Sequence, residues 1–146
     1  MMKHRKQKIV AYIIRKQGSE RELLSFTHRD YPEAGIQVPA GTVDPGEKPE
    51  QTLFREVYEE SGLDIKQESY QLLGIFQWER YDRHEIHQRF VYQINLKQDT
   101  ADQWTHSVSG QGEDESLVFN YQWIKVSADL KKKLAANQGD YLEQLV

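Results

Sequence analysis

Residues 41–63 read GTVDPGEKPEQTLFREVYEESGL, and the fold is decided by what this stretch must do. Its second half is written for a helix. Pro49 stands where a first turn tolerates proline, because the N–H it lacks would meet no carbonyl there. Gly62 stands where helices end in a left-handed residue. Between them Glu56, Glu59 and Glu60 fall at i, i+3 and i+4, on one arc of about 100° with neighbouring Cβ atoms roughly 5–6 Å apart. Leu53, Phe54, Val57 and Tyr58 take the other side. The spacing predicts a helix over residues 49–61 that buries an apolar side and turns three carboxylates to a cleft.

Three like charges so close repel one another by a few tenths of a kcal/mol per pair. They also crowd the helix C-terminus, where the dipole disfavours anions. A divalent cation resolves the conflict, and carboxylate oxygens suit Mg²⁺ or Mn²⁺. Arg55 lies beside Glu56 and four residues before Glu59, so its fork of donors can orient a carboxylate. Gly41 and Gly46 let the loop backbone come close to a cation or phosphate. A Glu-Glu pair alone would be an ordinary solvated face. The whole constellation is not.

At every fixed position the stretch matches the Nudix box, Gly-x5-Glu-x7-Arg-Glu-U-x-Glu-Glu-x-Gly-U with U aliphatic. The matching residues are Gly41, Glu47, Arg55, Glu56, Val57, Glu59, Glu60, Gly62 and Leu63. The chain therefore resembles the Nudix hydrolases. That resemblance implies an α/β/α sandwich with a mixed sheet, and Mg²⁺-dependent cleavage of a nucleoside diphosphate linked to another moiety. It implies catalytic roles for Arg55, Glu56 and Glu59. It implies metal ligation by Glu56, Glu59, Glu60 and the Gly41 backbone, with Glu47 a supporting ligand or a partner of Arg55. Water attacks phosphorus in such chemistry while cations neutralise the phosphoryl oxygens. The base that takes the water's proton is Glu56, or a later acid among Glu113, Asp114 and Glu115. A non-catalytic nucleotide-binding module on the same fold is the competing reading. Such modules commonly lose box glutamates, and none is lost here.

Outward from the helix, residues 8–15 (KIVAYIIR) and 22–28 (ELLSFTH) read as strands, joined by a turn at Gln17-Gly18-Ser19-Glu20. Residues 37–40 form a short extended piece. Residues 71–79 and 85–96 read as a hairpin, and residues 117–126 (LVFNYQWIKV) as another strand. The polar span 97–115 reads as a loop. Ser127 caps a helix over residues 128–136, and residues 140–146 add a last turn. Strands and helices mix without regular βαβ alternation, which favours an α/β fold with a mixed sheet. The length suits one domain, residues 1–146.

Substrate contacts are expected from His28 and Arg29 after the second strand, from Tyr81 in the hairpin turn, and from Glu115. Tyr81 lies near the spacing that the resemblance associates with dinucleoside polyphosphate hydrolases. The family's proline marker for ADP-ribose is missing, since no proline follows Pro49. Nucleoside triphosphates and dinucleoside polyphosphates stand level as substrate classes.

The net charge of −4 argues against general nucleic-acid binding. No apolar run approaches the roughly 18 residues of a membrane span. The first 21 residues carry seven Lys or Arg against one acid, Glu20, and read as a solvated tail entering a strand. They lack the apolar core of a secretory signal. The absence of cysteine removes disulfides, thiolate ligands and thiol nucleophiles, and fits a cytoplasmic setting. The expected partner is a small-molecule nucleotide. A homodimer is compatible with the sequence, which carries no determinant of oligomeric state.

Overall fold

The computed structural model describes residues 3–109 and 117–146. Its frame is β1 (His4–Gln17), whose residues 9–14 are all apolar and all buried. An unbroken apolar run requires cover on both faces of the sheet. The chain continues through β2 (Glu20–His28), β3 (Ala40–Thr42), α1 (Pro49–Ser61), β4 (Ser69–Arg80), β5 (Glu85–Asn95), β6 (Gln103–Ser107), β7 (Val118–Lys125) and α2 (Leu130–Lys133). Short 3₁₀ turns occupy Pro32–Ala34 and Tyr81–Arg83, and a longer 3₁₀ segment spans Ala135–Gln144.

The strands form one seven-stranded sheet in the order β4-β5-β1-β2-β7-β6, with β3 joined to β1. The β1–β5 pair is parallel and the others are antiparallel, so the sheet is mixed, as expected. On one face Ile9, Ala11 and Ile13 pack with Leu53 and Val57 of α1. On the other, Val10, Tyr12 and Ile14 pack with Leu130, Leu134, Tyr141 and Leu142. Each fully buried Leu or Val of this kind contributes about 1.5–3 kcal/mol.

One irregularity positions the site. On the side away from β5, β1 pairs with β3 at Lys8, Ile9 and Val10, and then with β2 from Ile14 to Gln17. The sheet therefore splits along β1, and β3 enters at the split carrying Gly41 beneath α1.

Three expectations need correction. The span expected as a loop contains β6, whose Gln103-Trp-Thr-His-Ser107 pairs with β7 and alternates exposure along its length. The expected helix over residues 128–136 is α for one turn only. Leu134 leaves it in extended backbone to bridge Ile36, and Ala136 and Asn137 then take left-handed conformations. The basic start is strand rather than solvated tail: His4 to Lys8 pair with β5, Lys3 meets Glu79 at 2.6 Å, and Lys6 meets Glu85 at 3.0 Å.

Candidate active site

The helix boundaries follow the local rules that predicted them. Gln51 Oε1 accepts the Lys48 N–H at 2.8 Å, satisfying a donor at the entrance. Gly62 ends the helix at φ 83°, its N–H donating to the Tyr58 carbonyl.

Arg55 is the hub. Its Nε and Nη2 grip Glu47 as a fork, both at 2.9 Å. Nη1 reaches Glu56 at 2.8 Å and Glu59 at 3.0 Å. Nη2 also donates to the Thr42 carbonyl at 3.2 Å and lies 3.3 Å from Asp44. The sequence suggested that Arg55 orients one carboxylate; it engages four. Glu47 receives further hydrogen bonds from the Thr52 hydroxyl at 2.6 Å and the Asp44 N–H at 3.1 Å. The guanidinium first, then Thr52 and Asp44, hold the Glu47 carboxyl down to about 2.

Glu56 and Glu60 sit differently. Gly41 brings its backbone against Glu56 so closely that a Cβ there would lie 2.2 Å from the Glu56 carboxyl carbon. Glu60 Oε1 faces the Ala40 N–H at 3.4 Å. Burial raises the Glu60 carboxyl well above its ordinary range, and the neighbouring Glu56 raises it further. Burial also raises Glu56, against the pull of Arg55. Two carboxyls so close disfavour each other's ionisation, and Glu56 is the second cause, after burial, of the rise at Glu60.

Among the described residues no three His, Asp or Glu side chains gather at ligand spacing. The geometry explains this, since the guanidinium draws Glu47, Glu56 and Glu59 to itself. What remains is Glu60, buried beside Glu56 and the bare glycine backbone. Mg²⁺ typically takes one or two protein carboxylates and completes its shell with water and phosphate oxygens. Crowded carboxyl oxygens whose ionisation burial opposes fit that ion.

A cleft of about 750 Å³ opens beside the loop of residues 42–47. Arg5, Lys6 and Gln7 of β1, Gln77 of β4 and Gln88 of β5 form its far wall. Of the expected site residues only Glu47 lines it; Gly41, Glu56, Glu59 and Glu60 lie outside its lining, as do His28, Arg29 and Tyr81. His28 packs against Phe119 with ring centroids 4.5 Å apart, and Arg29 pairs with Asp30 at the surface. Tyr81 is 74% exposed, with Lys3 5.2 Å from its ring. Glu115, with Glu113 and Asp114, lies outside the described residues. Sequence reasoning missed Thr52 and the cationic wall of β1. The i, i+5 offset of Glu47 and Thr52 across a helix start was the one available signal for the former.

A glycine loop opening an acidic helix on an α/β/α sandwich defines the Nudix class. The family description "NUDIX domain" matches residues 4–145, and the chain belongs to the Nudix hydrolase family. Hydrolases of this family are generally dependent on a divalent cation. The chain is 36% identical to diphosphoinositol polyphosphate phosphohydrolase 2 of Rattus norvegicus over 129 residues, which are 86% of this chain and 63% of that protein. It thus spans less than two thirds of that relative's length. In fold it is similar to the E. coli dihydroneopterin triphosphate pyrophosphohydrolase, with TM-score 0.70, 18% identity, and coverage of 96% of this chain and 94% of that one. A C. elegans Ap4A hydrolase in a binary complex aligns with TM-score 0.61 and 21% identity over 94% of this chain and 93% of that one.

Proposed function

We propose that the chain hydrolyses a phosphoanhydride bond of a nucleoside triphosphate or dinucleoside polyphosphate, with Mg²⁺ or Mn²⁺ bound by Glu56, Glu60 and the Gly41 backbone. Glu59 joins them by leaving Arg55. The observation that carries this reading is the division of the carboxylates: Arg55 neutralises Glu47 and steadies Glu56 and Glu59, while Glu60 and Glu56 face each other beside Gly41. The cation supplies charge neutralisation at the phosphoryl oxygens and lowers the pKa of water.

The protein's own part is to place and deprotonate. Arg55 holds Glu56 Oε1, leaving the other oxygen to accept the proton of the attacking water. The water oxygen bonds to phosphorus, the bridging P–O bond breaks, and two phosphate products leave. The cleft beside residues 42–47 takes the polyphosphate, with Arg5 and Lys6 on its wall. The lack of cysteine favours a cytoplasmic setting.

One observation favours a second substrate class. Phe76 is the only aromatic residue among those lining the cleft, and its two cations, Arg5 and Lys6, stand together on the β1 wall, with Asp44 and Glu47 on the loop side. That wall suits a densely phosphorylated ligand without a base, and the rat relative's name refers to such a compound.

The deciding experiment offers nucleoside triphosphates, dinucleoside polyphosphates and diphosphoinositol polyphosphates with Mg²⁺ or Mn²⁺ and resolves the products by chromatography. Turnover that vanishes with a chelator and returns with either cation is expected. Full activity after exhaustive chelation removes the cation from the proposal. Binding of every compound without cleavage makes the chain a nucleotide-binding module instead.

A further inference from the structure

The last carbonyls of an α-helix lack partners within the helix. In α1 those carbonyls are met by side chains from the β6–β7 pair. Tyr121 Oη donates to the Glu60 carbonyl at 2.9 Å. His106 Nε2 donates to the Glu59 carbonyl at 2.9 Å, joined there by the Ser109 N–H at 3.1 Å. Trp104 Nε1 donates to the Ser61 carbonyl at 3.1 Å. Three side chains on two strands thus hold three consecutive residues, and two of those are box glutamates.

The contact is built rather than incidental. Tyr121 is 2% exposed, and its ring stacks on Trp104 with centroids 5.0 Å apart. The His106 ring packs over Gly62, where a Cβ would come within 3.2 Å of it. Helices often cap their C-terminal charge with a lysine or arginine, and the last turn of α1 has none. The tyrosine and tryptophan donors serve the carbonyls without bringing a cation to Glu59 and Glu60. A lysine reaching the same carbonyls would compete for those carboxylates.

We propose that Tyr121, His106 and Trp104 are positioning residues, fixing the rotation and height of the last helical turn so that Glu59 and Glu60 stand where a divalent cation is held. Their hydrogen bonds to α1 go to its backbone carbonyls. The proposal rests on the reading of α1 as the cation-bearing helix. A helix advances 1.5 Å and turns about 100° per residue, so a small slip at its end moves both carboxylates together.

The test measures Mn²⁺ binding to the substrate-free protein by electron paramagnetic resonance, beside kcat and KM. Tyr121→Phe keeps the ring and removes one hydrogen bond. It should weaken Mn²⁺ binding by about three- to tenfold, the worth of one such bond, and lower kcat while KM holds. His106→Phe, at a less buried position, should act in the same direction. Thr105→Val is the control: it removes a hydrogen bond to Asn120 within the same strand pair, away from α1, and should leave Mn²⁺ binding unchanged. If Tyr121→Phe and His106→Phe bind Mn²⁺ as tightly as the parent, the positioning role is wrong. Equal weakening in Thr105→Val also overturns it, since general loosening would then explain the effect. A parent that binds no Mn²⁺ sinks the cation reading and this inference with it, whereas a parent that binds alongside equally tight variants sinks the inference alone.

Discussion

The Arg55 side of the site and the Gly41 side treat the same functional group in opposite ways. Glu47 is encased in donors, and its carboxyl is held down to about 2. Glu60 has only the Ala40 N–H and Glu56 only one arm of Arg55 as donor, and burial raises both. The first side is finished: its charge is matched by a guanidinium fork, which gives geometry as well as energy. The second is left in electrostatic debt that only a proton or a cation relieves. Function resides on the side where folding alone leaves the conflict open.

The largest effect should come from removing that conflict. Glu60→Gln and Glu56→Gln keep side-chain shape, and each should lower kcat by about 10²–10⁴, the range for losing a general base or comparable group. In Glu60→Gln the metal-free melting temperature should stay level or rise, because a repulsive pair is gone, whereas Glu56→Gln also gives up its ion pair with Arg55. If Glu56 is the base, its variant stays slow at saturating Mg²⁺, while a lost ligand is partly rescued. Parental rates in Glu56→Gln, Glu59→Gln and Glu60→Gln alike would dissolve the distinction between the two sides.

Next in size is Gly41→Ala. A methyl 2.2 Å from the Glu56 carboxyl carbon must displace it, and misplacement of about 1 Å in a catalytic group can cost on the order of 10² in rate. Circular dichroism should be unchanged. A rate equal to the parent's would mean that Glu56 works from another position.

Arg55→Lys probes the finished side. An ammonium cannot grip both oxygens of Glu47 while reaching Glu56 and Glu59. The rate should fall about tenfold or more, and the melting temperature by a few degrees. If rate and melting both match the parent, Arg55 is only a surface charge.

The smallest effect is in pH, and it has two signs. Glu47 has a folded pKa below its ordinary value, so its stabilisation is complete above about 4.5 and is lost as pH falls toward about 2. Glu56 and Glu60 are raised, so their stabilisation is complete below the ordinary carboxyl range and is lost as pH rises through their folded values. Metal-free protein should therefore gain stability on mild acidification from neutrality and lose it in strong acid. Adding Mg²⁺ should flatten the neutral limb, because the cation stabilises the folded state. Denaturant unfolding across pH, with and without Mg²⁺, measures both limbs. A metal-free curve that only falls below neutrality would mean that Glu56 and Glu60 ionise normally.

What was readable from residues alone follows the range of the forces involved. The boundaries of α1 were legible because Pro49, Gly62 and the glutamate spacing act within a few residues. The Arg55 fork was legible in part, since adjacency to Glu56 and the four-residue step to Glu59 are local, whereas its pairing with Glu47 across the loop came only as one of two alternatives that the Nudix resemblance implied. Strand β6 was hidden because five residues among polar neighbours become a strand only through pairing with β7. The C-terminal region misled because the local pattern around Leu130 favours a long helix, while Leu134 is pulled out by its bridge to Ile36. The basic start looked solvated because nothing near it announces β5 as its partner.

That partnership sets an order of assembly. Gln7 and Gln88 lie side by side although 81 positions separate them in the chain. Closing a loop that long is slow compared with winding α1, and parallel pairing must await it. Every box residue lies inside the loop. On a ribosome the helix would emerge and wind early, but the cleft would have no opposite wall until β5 had followed. The catalytic stretch is thus among the first parts able to take shape and among the last to acquire a site.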